Sequence, residues 1–72
     1  MEISKEKLGM NVRKGREKRG LSVEEMAYQL RESKECVMKI EEGKKHVTLQ
    51  MALSICAVLE MAPSELLDGV QM

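Results

Sequence analysis

The sequence predicts a small all-α domain of five helices. Three observations predict it. The 72 residues contain one aromatic, Tyr28, and neither Phe nor Trp, whereas sheets lean on aromatic and β-branched cross-strand pairs. Helix caps and stop residues punctuate the chain at short intervals. Between them apolar residues recur three and four apart, and no segment needs a strand to account for it.

The first helix runs from about Ser4 or Lys7 to Arg19. Leu8 and Val12 share its inner face, and Gly20 after Lys18 and Arg19 is a C-terminal signal. Gly15 is a local conflict that costs about 1 kcal/mol against Ala, so Gly15→Ala is expected to stabilise the helix if the site is spacious. The second helix opens with a capping box of Ser22 and Glu25. Leu21 and Met26 stand at the positions of a hydrophobic staple, and Met26, Ala27 and Leu30 share a face. The third opens at Ser33, buries Val37 and Ile40, and stops at Gly43. The fourth is capped by Thr48 and carries Leu49, Ala52, Ile55, Cys56 and Leu59 as its inner stripe. Pro63 forces a break, and Ser64 to Leu67 make a short fifth helix.

The link between the second and third helices is the informative one. Only Arg31 and Glu32 lie between Leu30 and the cap Ser33. Helices joined so tightly cannot lie antiparallel and must cross steeply, which is a helix-turn-helix.

The length supports one domain spanning 1–72 with a thin core, because chains this short bury only about 60–65% of their unfolded surface. Seven Met fill irregular gaps in place of aromatics. Composition argues against an enzyme: there is one His, His46, and one Asp, Asp68. Cys36, His46 and Cys56 lack the close ligand pairs of a zinc site, so no metal is expected. No Gly-rich phosphate loop occurs, and no cofactor is expected. The two Cys, twenty apart, fit free thiols in a reducing, cytoplasmic setting. No apolar stretch approaches the ~18 residues of a membrane span. The missing aromatics also disfavour a stacking platform for single-stranded nucleic acid.

Net charge is zero but unevenly spread. Residues 1–20 carry seven basic side chains against three acidic, and residues 47–72 carry only Glu60, Glu65 and Asp68. That makes a basic first segment and an acidic last one, either as two faces or as ordinary solvated helix surface.

The segments LGMNVRKGREKRGLSVEEMAYQL, SKECVMKIEEGKKHVTLQMALSICAVL and APSELLDG carry a resemblance. Elements such as RGLSVEEMA, KIEEGK, the TL opening of the fourth helix and PSELL are weak singly and strong in this order and spacing. From about Leu8 to Asp68 the chain resembles the phage repressor and Cro-like family of DNA-binding domains, also called the xenobiotic-response-element type. The resemblance implies a lambda-repressor-like fold whose third helix lies in the major groove of double-stranded DNA.

It places base-reading side chains at Lys34, Glu35 and Lys39. Lys donates to guanine O6 and N7, and Glu accepts from cytosine N4. At about 100° per residue these fan out with Met38 and Glu42 on the side away from Val37 and Ile40. Phosphate contacts are expected from Ser22, Val23 and Ser33 at helix starts and from Gly43, Lys44 and Lys45 after the third helix. Lys44 and Lys45 equally compensate the dipole at that helix end. Arg16 and Glu41 stand where related repressors form a structural ion pair between the first and third helices.

Several positions depart from the family pattern. A large aliphatic is usual at Gly15, Gly at Arg31, an apolar residue at Glu32 and a phosphate-gripping Gln at Val23. Asn is common at Glu42, Gly at Glu60, and a Ser or Asp cap at Ala62. These changes leave the fold standing and lower phosphate affinity, which dominates DNA binding. The second reading is therefore a protein-interaction module, an antitoxin or inhibitory partner, on the same fold.

From Leu49 to Met61 the polar side chains are Gln50, Ser54 and Glu60. Leu53, Ala57, Val58 and Met61 exceed what one buried stripe needs, and Val70 and Met72 extend the apolar tail. A core built from small residues is one explanation of the excess; a two-fold homodimer through the fourth and fifth helices is the reading preferred. Cys36 and Cys56 read as buried thiols, His46 as a loop residue within reach of phosphate, and Tyr28 as packed along the first helix. The expected function is a dimeric, sequence-specific transcriptional regulator with half-sites about 34 Å apart.

Overall fold

In the computed structural model, which describes residues 4–70, five helices follow one another: α1 Lys5–Lys18, α2 Val23–Leu30, α3 Lys34–Glu41, α4 Leu49–Leu59 and α5 Pro63–Leu66. No strand occurs among the described residues. The first four begin on a hydroxyl: Ser4, Ser22, Ser33 and Thr48 accept from the N–H groups of Lys7, Glu25, Cys36 and Met51. Each satisfies a donor that the helix cannot. At α2 the box is reciprocal, with Ser22 N–H donating to Glu25 Oε1 at 2.9 Å. At α5, Ala62 has no side-chain acceptor, and Glu65 alone reaches back to its N–H at 3.0 Å.

Two helices end on left-handed residues that are not glycine: Arg31 at φ 59° after α2 and Glu60 at φ 53° after α4. The turn at Arg31 is closed by Arg31 N–H to Tyr28 O and Glu32 N–H to Ala27 O. This wraps the end of α2 and starts α3 at once.

Val12, Met26, Val37, Ile55 and Val70 are fully buried, joined by Leu8, Ile40, Leu59 and Leu66. α1 packs chiefly on α3 and α2 on α3 and α4, with α5 closing against α1 and α4. α1 and α3 touch at Gly9. A Cβ there would collide with the carbonyl oxygens of Ile40 and Glu41, the latter at 2.7 Å, so the crossing requires glycine. Gly43 is likewise buried at φ 74°, where a Cβ would stand 2.9 Å from Glu6 Cα. Asn11 is the buried polar side chain of the core. Its Nδ2 donates to Leu66 O at 2.8 Å and Asp68 O at 2.9 Å, which pins the α5 end onto α1.

Three expectations are corrected. Tyr28 does not pack along α1 and is 85% exposed. Met26 and Ala27 take the core positions of α2, and the next residue is turned outward. Gly15 is helical but not spacious: a Cβ would lie 3.1 Å from Leu59 Cδ1 and 3.2 Å from Met61 Sδ. Val70 belongs to the core and not to an exposed apolar tail. Met72, like Glu2, lies outside the described residues.

Candidate nucleic-acid interface

α3 is amphipathic across its axis. Val37 and Ile40 are buried at 0% and 2% exposure, while Lys34, Glu35, Met38, Lys39 and Glu42 are exposed. The structure thus brings Lys34, Glu35 and Lys39 together on one outward surface of a helix whose back is in the core.

That helix is held on α1 by Arg16. Its Nε donates to Glu41 Oε2 at 2.6 Å and its Nη2 to Glu41 Oε1 at 3.1 Å, with side chains only 13% and 8% exposed. Nη1 donates to Leu21 O at 2.9 Å. One guanidinium therefore ties α1, the α1–α2 link and α3. The hydrogen bonds that Arg16 donates to Glu41 raise the Arg16 pKa above its ordinary value against the opposing effect of burial.

The expected phosphate contacts are placed unevenly. Ser22 and Ser33 are exposed at the starts of α2 and α3, with their hydroxyls accepting the cap bonds. Val23 is half-buried against the core. Gly43 is buried, and its N–H donates to Ile40 O at 3.1 Å, so its part is to shape the loop. Lys44 and Lys45 are exposed. Lys44 Nζ stands 3.6 Å from Glu42, and Lys34 Nζ stands 3.2 Å from Glu24. Lys39 and Lys45 form no salt bridge among the described residues. His46 is exposed in the loop that follows α3.

On α4, Leu53 and Ala57 face outward and Val58 is half-buried, as is Met61 just past the C-cap Glu60. Met61 lies over Gly15. Leu49, assigned above to the inner stripe, is 77% exposed and extends the outward row of Leu53 and Ala57 by one turn. Glu24 was not singled out either. It meets Lys34 only because the turn at Arg31 brings the two helices together, and no local spacing signals that.

Both Cys are free, Cys36 half-buried and Cys56 buried. Burial pushes each thiol up, with Glu32 adding at Cys36 and Glu65 at Cys56. No group of three His, Cys, Asp or Glu among the described residues could hold a metal. No helix among them is long and apolar enough to cross a membrane. An open groove of about 420 Å³ runs past Gly15 between α1 and α5, away from α3.

Comparison with known proteins agrees with this geometry. A family model described as a helix-turn-helix domain matches residues 7–68. No curated protein gives a significant match. Among solved structures, the restriction-modification controller protein C.AhdI from Aeromonas hydrophila is 31% identical, over 86% of this chain and 94% of its own, with a TM-score of 0.81. The clp gene regulator ClgR from C. glutamicum is 27% identical over 93% of this chain and 87% of its own, with a TM-score of 0.85. The DNA-binding domain of BldD is 26% identical over 93% and 99%, with a TM-score of 0.83.

Proposed function

Because the chain belongs to the helix-turn-helix domain family of the xenobiotic-response-element type, we propose that it is a sequence-specific double-stranded DNA-binding transcriptional regulator, repressor-like and cytoplasmic. One observation carries this: Lys34, Glu35 and Lys39 stand outward on α3 while Val37 and Ile40 lock the same helix into the core. α3 enters the major groove, with Lys34 and Lys39 reaching guanine and Glu35 reaching cytosine. Lys44 and Lys45 approach the phosphates, with the exposed cap residues Ser22 and Ser33 beside the backbone and Val23 and Gly43 shaping the contact. The gene-regulatory and DNA-binding roles named for the relatives support the same reading.

The protein acts as a homodimer on a two-fold operator. The outward row of Leu49, Leu53 and Ala57 on α4, edged by Val58 and Met61, is the self-complementary surface. Leu49 and Leu53, 77% and 53% exposed, are the anchors.

Selection of bound fragments from random duplex DNA, followed by a salt series, tests the proposal. Lys39→Ala is expected to cost about 1–3 kcal/mol on the selected duplex and to relax preference at one base pair per half-site. Lys44→Ala is expected to weaken all sequences alike. A protein that selects no sequence and shows no salt-dependent binding is a protein-interaction module, with the α4 row as its docking face.

A further inference from the structure

The Glu24–Lys34 pair spans the helix-turn-helix from the start of α2 to the start of α3. Glu24 Oε2 stands 3.2 Å from Lys34 Nζ, and the two side chains are 64% and 51% exposed. The same carboxylate lies at the first turn of α2. Its own backbone N–H and then the Lys34 ammonium hold it below the usual carboxylate range. Two more donors of that turn are engaged by the capping box, Ser22 N–H by Glu25 Oε1 and Glu25 N–H by Ser22 Oγ. A helix start attracts anions, and a lysine ammonium binds phosphate as a point charge. Glu24 sets a negative oxygen where a phosphate of DNA would otherwise find both.

We propose that Glu24 is a positioning residue for DNA discrimination: its carboxylate withholds Lys34 from the phosphates of arbitrary duplex and leaves that ammonium to base edges. The proposal rests on reading α3 as the element in the major groove. Of the two lysines read as meeting bases, Lys34 alone is held so, because Lys39 forms no salt bridge among the described residues. An exposed pair is weak, so it reduces, and does not abolish, the share of Lys34 free to leave Glu24. Non-specific affinity is set by the number of phosphates neutralised, so a single lysine held back is felt there most.

The test measures the intact protein on random-sequence duplex and on the duplex recovered by selection, each across a salt series. The chains compared are the parent, Glu24→Gln, Lys34→Ala, Lys34→Arg and the combinations of Glu24→Gln with each Lys34 variant. Glu24→Gln is expected to tighten random-duplex binding about fivefold and to steepen its log–log salt slope by about one per protomer. Affinity for the selected duplex changes less, so the ratio between the two falls. With Lys34→Ala the effect of Glu24→Gln disappears; with Lys34→Arg, which keeps the charge, it remains. Circular dichroism should stay at the parent value, because the cap of α2 uses Glu25 and not Glu24.

A parent-like slope in Glu24→Gln overturns the proposal. An equal effect in the Lys34→Ala background also overturns it, since Glu24 would then act as bulk charge. A parent and variants that bind no duplex at all overturn the DNA reading itself. That result is distinct from a parent that binds and a Glu24 that makes no difference.

Discussion

Arg16 grips Glu41 through Nε and Nη2 of its guanidinium, at 2.6 and 3.1 Å, and so fixes α3 on α1 at the edge of the buried face that carries Val37 and Ile40. The third donor, Nη1, is spent on Leu21 O. With three bonds in different directions, the group resists rotation as well as separation. A pair of this kind sets geometry more surely than it adds net stability.

Removing one partner leaves the other charge uncompensated and mostly desolvated. Glu41→Ala is expected to lower unfolding stability by about 2–4 kcal/mol, read from urea midpoints at neutral pH. Arg16→Met combined with Glu41→Leu should regain most of that loss. A double variant as unstable as the single one would show that the bond to Leu21, and not the unpaired charge, carries the effect.

The glycines of α1 separate two causes. Gly15→Ala gains about 1 kcal/mol of helix preference but crowds the buried Leu59 and the half-buried Met61. The two effects oppose each other, since overpacking a core costs about 1–3 kcal/mol, so no net gain in stability is expected. Gly9→Ala meets backbone carbonyls of α3 that cannot shift, and should cost about 3 kcal/mol or more. Thermal unfolding of the two variants side by side distinguishes them; a Gly9→Ala protein as stable as the parent would contradict the crossing described.

Left-handed Arg31 and Glu60 offer a second comparison. Arg31→Gly should stabilise by about 1 kcal/mol through relief of backbone strain. Glu60→Gly should gain less, because it also removes the 2.7 Å pair with Arg19, which is 41% exposed. Equal gains would mean that this ion pair contributes nothing.

Leu53 is half exposed and makes no part of the buried core. Leu53→Glu is therefore expected to keep the parent's helical content and melting behaviour as a monomer while abolishing self-association. Sedimentation at hundreds of micromolar is the check, and a parent that is monomeric there would remove the proposed dimer.

The helix starts were legible in the sequence because capping is local: Ser22 with Glu25, and Ser33 or Thr48 with an N–H three residues on. The outward set on α3 was legible for the same reason, since Val37 and Ile40 fix the buried side and periodicity does the rest. Periodicity failed at the margins. Leu49 sits in the first turn of α4, where the inner stripe has run past the neighbouring helices, and Tyr28 falls one position outside the buried pair Met26 and Ala27. Gly9 was invisible because a helix's own sequence does not reveal how closely another backbone approaches. Glu24 and Lys34 are ten positions apart, so their contact exists only through the turn at Arg31.

The two bonds from Asn11 reach 55 and 57 residues along the chain, and this sets an order of assembly during synthesis. α2 and α3 can meet once α3 has left the ribosome. The inner edge of α1 waits for Leu66 and Val70, since contacts of such long separation close last. A nascent chain stalled near residue 60 should be cut readily by protease within α1, and one released past residue 70 should resist. The inner edge of α1 is in this sense completed by residues 55 and 57 positions downstream.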